Sequence, residues 1–135
     1  MTGQRSMPFR LDLRVYWEDT DAGGIVYHAN YLRFMERART EWLRSRGIEQ
    51  AHLRETVGVL FVVSDIELRL QHPARLDDRL SVTVSVLEHG RASMWLAQQV
   101  LRQAQELCTA RVRVACVDAT TWRPRRLPAE VGDLG

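Results

Sequence analysis

The stretch Tyr16–Gly47, YWEDTDAGGIVYHANYLRFMERARTEWLRSRG, decides how the rest of the chain is read. It opens on the carboxylates Glu18, Asp19 and Asp21, passes through Gly23-Gly24 and His28-Ala29-Asn30, and then turns periodic. From Asn30 onward Leu32, Met35, Arg39 and Leu43 mark one line, with Tyr31, Phe34, Ala38 and Trp42 on the line beside it. An apolar stripe at a spacing of about 3.6 residues predicts one long amphipathic helix. Asn30 is its expected N-cap and Gly47 its expected stop. Glu36, Arg37, Arg39, Glu41, Arg44 and Arg46 decorate the remaining surface.

Upstream, Arg10 to Trp17 alternates Leu11, Leu13 and Val15 against Asp12 and Arg14, the pattern of a strand. Glu18 to Ala29 carries the glycine pair and reads as a loop. Downstream, a short helical piece at Glu49 to Thr56 leads into four strand-like segments: Val59 to Leu70, Arg79 to Glu88, Ser93 to Arg102 and Leu107 to Val117. Turns at His89-Gly90 and from Gln103 to Glu106 join the last three, so the sheet is expected to be antiparallel. In Val59–Leu70 the even positions Leu60, Val62, Ile66, Leu68 and Leu70 form an apolar row broken only at Ser64. The odd positions start apolar (Val59, Phe61, Val63) and end charged (Asp65, Glu67, Arg69). A strand apolar on both faces over its first half needs cover on both sides. The helix supplies one; the other calls for a partner chain or a ligand pocket. The fold class is therefore α+β, a single domain over 1–135 with one long helix and about five strands. Residues 121–135, which contain Pro124 and Pro128, are expected to form an extended tail.

Composition narrows the function classes. The chain is 45% hydrophobic and 27% charged with a net charge of +2, an ordinary globular balance that gives no electrostatic case for nucleic-acid binding. No run of about 18 apolar residues exists to span a membrane, and MTGQRSMPFR lacks the apolar run of a signal peptide. Cys108 and Cys116 fall in one strand, roughly 26 Å apart along it, and read as reduced core thiols. The expected compartment is the cytoplasm.

Chemistry concentrates at the loop before the helix. There is no G-x-S-x-G nucleophile elbow, no P-loop and no dinucleotide fingerprint. Asp19, Asp21 and His28 match no metal-ligand spacing, and both cysteines lie away from any histidine. A helix N-terminus, by contrast, presents unpaired N–H groups able to stabilise an oxyanion. A carboxylate beside it can act as nucleophile or as general base. Acids in this position also serve as plain caps and charge complements, and the residues alone do not rank the three.

The same stretch strongly resembles the signature of the hotdog-fold acyl-CoA thioesterases of the 4-hydroxybenzoyl-CoA thioesterase class, closest to the Tol–Pal-associated (YbgC-type) branch. The likeness extends to the EHGRAS turn and the CVDATTWRPRRLPAE ending. It implies a hotdog fold, in which a curved antiparallel sheet wraps a central helix, and active sites at subunit interfaces of a homodimer or homotetramer. It implies Asp21 as the catalytic carboxylate and the backbone N–H of His28 as the group that polarises the thioester carbonyl. The His28 imidazole takes a lesser role in positioning water or thiolate, while Tyr16, Glu18, Asp19 and Thr20 support the site. Arg91, in the HGRAS turn, is the preferred contact for coenzyme A phosphates, ahead of Arg123, Arg125 and Arg126. No cofactor is implied, coenzyme A being part of the substrate. Two other readings stand beside this one: a hydratase on the same fold, and a module that binds acyl carrier protein or a membrane-biogenesis partner with vestigial hydrolysis.

Overall fold

The computed structural model describes residues 8–132. The N-terminal residues 1–7, part of the stretch read for a signal peptide, and residues 133–135 of the tail lie outside them. Five strands, β1 (Phe9–Arg14), β2 (Val59–Leu70), β3 (Arg79–His89), β4 (Ser93–Arg102) and β5 (Gln105–Asp118), form one antiparallel sheet in the order β1-β3-β4-β5-β2. The helix α1 (Asn30–Ser45) lies across the β1, β3 and β4 part of the inner face. A shorter helix, α2 (Gln50–Thr56), follows it and packs on β2. This is the α+β architecture that the periodicity predicts, with one helix against five strands.

The helix buries the expected stripe: Tyr31, Phe34, Met35, Ala38, Trp42 and Leu43 are all buried. Its end is a Schellman motif. Gly47 takes φ +80°, its N–H bonds the Arg44 carbonyl, and the Ile48 N–H bonds that of Leu43. Its start differs from expectation. Ala29 is the cap and makes no side-chain bond, while Asn30 is the first helical residue and donates from Nδ2 to Asp19 Oδ1 at 2.7 Å. The amide that would cap its own helix instead ties the helix to the loop before it. β1 likewise ends at Arg14, because Trp17–Asp19 closes into a 3₁₀ turn.

The apolar row in β2 is corrected by a bulge. The pairing with β5 slips between Val63 and Asp65, so Ser64 is the extra residue. Phe61 and Val63 stand opposite Cys116 and Val114, and beyond the bulge Ile66, Leu68 and Leu70 stand opposite Val112, Ala110 and Cys108. Directly opposed residues share a face. The inner face of β2 is therefore Val59, Phe61, Val63, Ile66, Leu68 and Leu70, odd before the bulge and even after it. Asp65 and Glu67 face outward towards Arg113 and Arg111.

β2 is an edge strand, and its inner-face Val63, Ile66 and Leu70 are 41%, 43% and 50% exposed. The tail runs extended after Arg123 but folds back on the body. Pro124 bridges Val117, the Leu127 N–H bonds the Arg91 carbonyl, and the closing turn α3 (Ala129–Gly132) buries Val131. Asp118 anchors the turn into it by accepting from the Thr120 and Thr121 N–H groups and from Arg125; these bonds hold its carboxyl down at about 2.

Candidate active site

The loop between β1 and α1 sorts the three carboxylates. Asp19 is buried, and both of its oxygens are engaged: Oδ2 accepts the Tyr16 N–H at 2.8 Å and Oδ1 the Asn30 side chain. It closes the 3₁₀ turn and pins the helix start, which leaves no oxygen for chemistry. Glu18 is exposed and has no partner among the described residues. Asp21 sits in a tight turn closed by Asp21 N–H to Ile25 carbonyl and Gly24 N–H to Asp21 carbonyl, with Gly24 at φ +81°. The Asp21 Oδ1 accepts the Gly23 N–H at 2.8 Å, which fixes the carboxylate and leaves Oδ2 uncommitted.

Bridges from Thr20 to Val26 and from Ile25 to Arg75 hold this turn against the segment that precedes β3. The result is an open cleft of about 310 Å³ lined by Asp21, His28, Tyr31, Leu70, His72 and Pro73. Asp21 and His28, separate in sequence, thus face one cavity. The His28 backbone N–H takes no partner among the described residues. The His28 ring stacks loosely on Tyr27, with centroids 4.6 Å apart.

Tyr31, His72 and Pro73 belong to the cleft but were not singled out in the sequence. Tyr31 read as one more apolar residue of the helix stripe. It is instead a buried phenol whose oxygen accepts the Ala74 N–H at 3.0 Å, and burial raises its pKa. That bond holds the segment after β2 against the helix start and shapes the cleft wall. The position of a phenol hydroxyl cannot be read from a period of 3.6, which records only where the ring lies.

Other candidates fall elsewhere. Within one chain Arg91 is far from Asp21: it lies in the turn after β3, whereas Ile25 and Val15 meet the residues just before that strand. Arg125 is paired with Asp118 at 2.8 Å. Asp19, Asp21 and His28 do not converge, and no cluster of metal-ligating side chains occurs among the described residues. Cys108 and Cys116 are free and buried, and burial pushes the Cys108 thiol up to about 12, far from thiolate chemistry. No helix among the described residues is long and apolar enough to cross a membrane.

Geometry of the Asp21 turn also makes a prediction. A Cβ on Gly23 would stand 3.2 Å from Asp21 Oδ1. Gly23→Ala is expected to displace the carboxylate and lower kcat by about tenfold or more, since small displacements of reacting groups are costly, with little change in Tm. Steady-state kinetics beside a thermal melt checks it.

Comparison with known proteins agrees with this fold. Residues 15–134 match the family model of the thioesterase-like superfamily. An acyl-CoA thioesterase YbgC of Haemophilus influenzae is 45% identical over 91% of this chain and 90% of its own length. An acyl-CoA thioester hydrolase YbgC of Escherichia coli is 42% identical over 91% and 92%. The crystal structure of a probable thioesterase from Bartonella henselae superposes with a TM-score of 0.86 at 35% identity, covering 90% of this chain and all of that one. The chain belongs to the thioesterase-like superfamily, with the hotdog fold of its structural neighbours, and is a thioester hydrolase.

Proposed function

We propose that the chain hydrolyses acyl-CoA thioesters, with Asp21 supplying the carboxylate and the His28 N–H the oxyanion donor. The observation that carries this reading is the shared cleft: a positioned carboxylate with one uncommitted oxygen faces the same cavity as an unpartnered N–H at a helix start. The thioester carbonyl oxygen lies against the His28 N–H, and the helix N-terminus favours the negative charge that develops there. Asp21 attacks the carbonyl carbon or removes a proton from the attacking water, and the thiolate of coenzyme A leaves. Trapping of an acyl-aspartyl anhydride with hydroxylamine distinguishes the two routes. Coenzyme A enters as part of the substrate. Acyl carrier protein, which presents the same phosphopantetheine thioester, belongs in the same assay as an alternative donor. Free, buried thiols suit a reducing compartment such as the cytoplasm.

The working unit in this reading is a homodimer paired through β2. A long edge strand with exposed apolar side chains is a template for another strand. Two-fold antiparallel pairing of β2 with itself extends the sheet and sets the Leu70 end of one copy beside the Val59 end of the other. Arg91 lies at that Val59 end, because Ser93 of β4 pairs with Ala115 of β5 and Val59 with Asp118. It lies two to three strands in from the edge, roughly 10–14 Å, a displacement suited to phosphates held one pantetheine arm from the thioester. Ile66→Lys puts a charge on the inner face of the paired edge. It is expected to give a monomer by sedimentation and to cut activity by about a hundredfold.

Thiol release over a panel of acyl-CoAs tests the assignment. If wild type releases coenzyme A no faster than Asp21→Asn, the proposed activity is wrong.

A further inference from the structure

Beneath the first half of β2 lies a second cavity, about 130 Å³, between the C-terminal half of α1 and the inner face of the sheet. Phe61, Val63, Met94, Leu96 and Val114 form its apolar wall, and Glu36, Thr40 and Gln50 a polar side. Arg39 lies between the two: it is half-buried, and its place is fixed by a bond from Nη1 to Gln98 Oε1 at 2.9 Å. Gln98 is itself 1% exposed and held by bonds from Nε2 to the Met35 and Thr83 carbonyls. Among the described residues the guanidinium makes no ion pair and only this one bond, so most of its five N–H donors are unused. The nearest carboxylate, Glu36, is exposed at the rim and accepts the Thr40 hydroxyl. Burial lowers the Arg39 pKa, and the charge on Glu36 works against that shift.

Glu36, at the rim, is the one carboxylate that acts on this half-buried cation, which leaves the inward N–H donors free for a second anion. β2 pairing as described above connects the cavity to the site. With Val59 beside Leu70, Phe61 of one copy comes to lie beside Leu68 of the other and Val63 beside Ile66, and Leu70 is a wall of the Asp21 cleft. The cavity of one copy then continues the cleft of its neighbour. At about 130 Å³ it is close to the ~150 Å³ that accommodates benzene in an engineered protein cavity, room for the end of a short acyl chain. We propose that Arg39 reads the far end of the acyl group across the dimer, selecting chains that end in a carboxylate over chains that end in a methyl group. This rests on the thioesterase reading and names its substrate class. The alternative is that the Arg39–Gln98 bond merely ties α1 to β4.

The test compares glutaryl- and adipyl-CoA with neutral acyl-CoAs of matched length. Wild type is expected to favour the diacid substrates in kcat/KM by about tenfold or more, the effect of one charge-assisted hydrogen bond, and mainly through KM. Arg39→Met removes the preference. Arg39→Lys, which keeps the charge but loses the fork, falls between them and carries the comparison if Arg39→Met does not fold by circular dichroism. A wild-type preference for methyl-ended chains, or a ratio within about twofold of wild type in both variants, overturns the assignment. Non-hydrolysable thioether analogues of the same acyl-CoAs, titrated against wild type, separate this from failure of the thioesterase reading. If nothing is turned over but the diacid analogue binds more tightly, Arg39 stands and the hydrolytic role falls; equal affinities sink Arg39 whatever the turnover. Mixed dimers of Asp21→Asn and Arg39→Met chains test the crossing. In a crossed arrangement one of the two sites keeps both residues, so diacid selectivity returns. If each site were built within one chain no site keeps both, and the mixed dimer shows only unselective turnover.

Discussion

Asp21→Asn is expected to lower kcat/KM for acyl-CoA by about a hundredfold to ten-thousandfold, the range lost with a positioned acid–base group, while leaving Tm essentially unmoved. The substitution is clean for a structural reason. The Asp21 Oδ1 accepts the Gly23 N–H, and an asparagine oxygen in the same place accepts it equally well. The Asp21–Ile25 and Gly24–Asp21 bonds that close the turn are backbone bonds and involve no side chain. What the variant removes is the anionic character of the uncommitted Oδ2, and so both the nucleophile and the base. Exposed substitutions that keep their hydrogen bonds change stability by no more than about 0.5 kcal/mol. A variant that loses activity and melts early would instead make Asp21 a structural residue, and the cleft would need another carboxylate. Asp19, its neighbour, is already committed to Tyr16 and Asn30.

The contrast between those two aspartates shows where the sequence was legible. The helix stripe, the order of strands and the Gly47 stop follow from periodicity and from a backbone conformation that glycine adopts most easily; all three are local properties, and the structure agrees with them. Ser64 was visible as a break in an apolar row, but a break is consistent with a polar side chain on the same face or with a bulge. Only pairing with β5 decides, and it moves Leu60 and Val62 to the face opposite Ile66, Leu68 and Leu70. The carboxylates before the helix posed the same kind of problem. Their order along the chain does not say which one turns inward to hold the loop, because that depends on Asn30, eleven residues on from Asp19. Asn30 itself read as a cap, since an asparagine at a helix start bonds its own helix as readily as a neighbouring loop. The resemblance implies Asp21; the hydrogen bonds show that Asp19 is committed to the loop, whereas Asp21 has one oxygen without a partner among the described residues. The cleft wall at His72–Pro73 was not legible at all, for it reaches the site through contacts between segments distant in the chain.

Asp19→Ala is expected to be the most destabilising change in the loop, at about 3 kcal/mol. Truncation strands the Tyr16 N–H and the buried Asn30 amide, and each unsatisfied group costs about 1–3 kcal/mol. For a domain of this size that corresponds to a fall of roughly 10 °C in Tm. The damage also propagates to the site, because Asp19 holds Asn30 at the helix start while its carbonyl accepts the Tyr27 N–H beside His28. Loss of this clamp frees the segment that carries the proposed oxyanion donor, so kcat is expected to fall together with stability, the reverse of the pattern expected for Asp21→Asn. A double-mutant cycle with Asn30→Ala isolates the bond between them. Coupling of about 1–2 kcal/mol is expected for groups in direct contact; additive effects, or an Asp19→Ala melt within about 2 °C of wild type, would show that the loop is held by its backbone bonds alone.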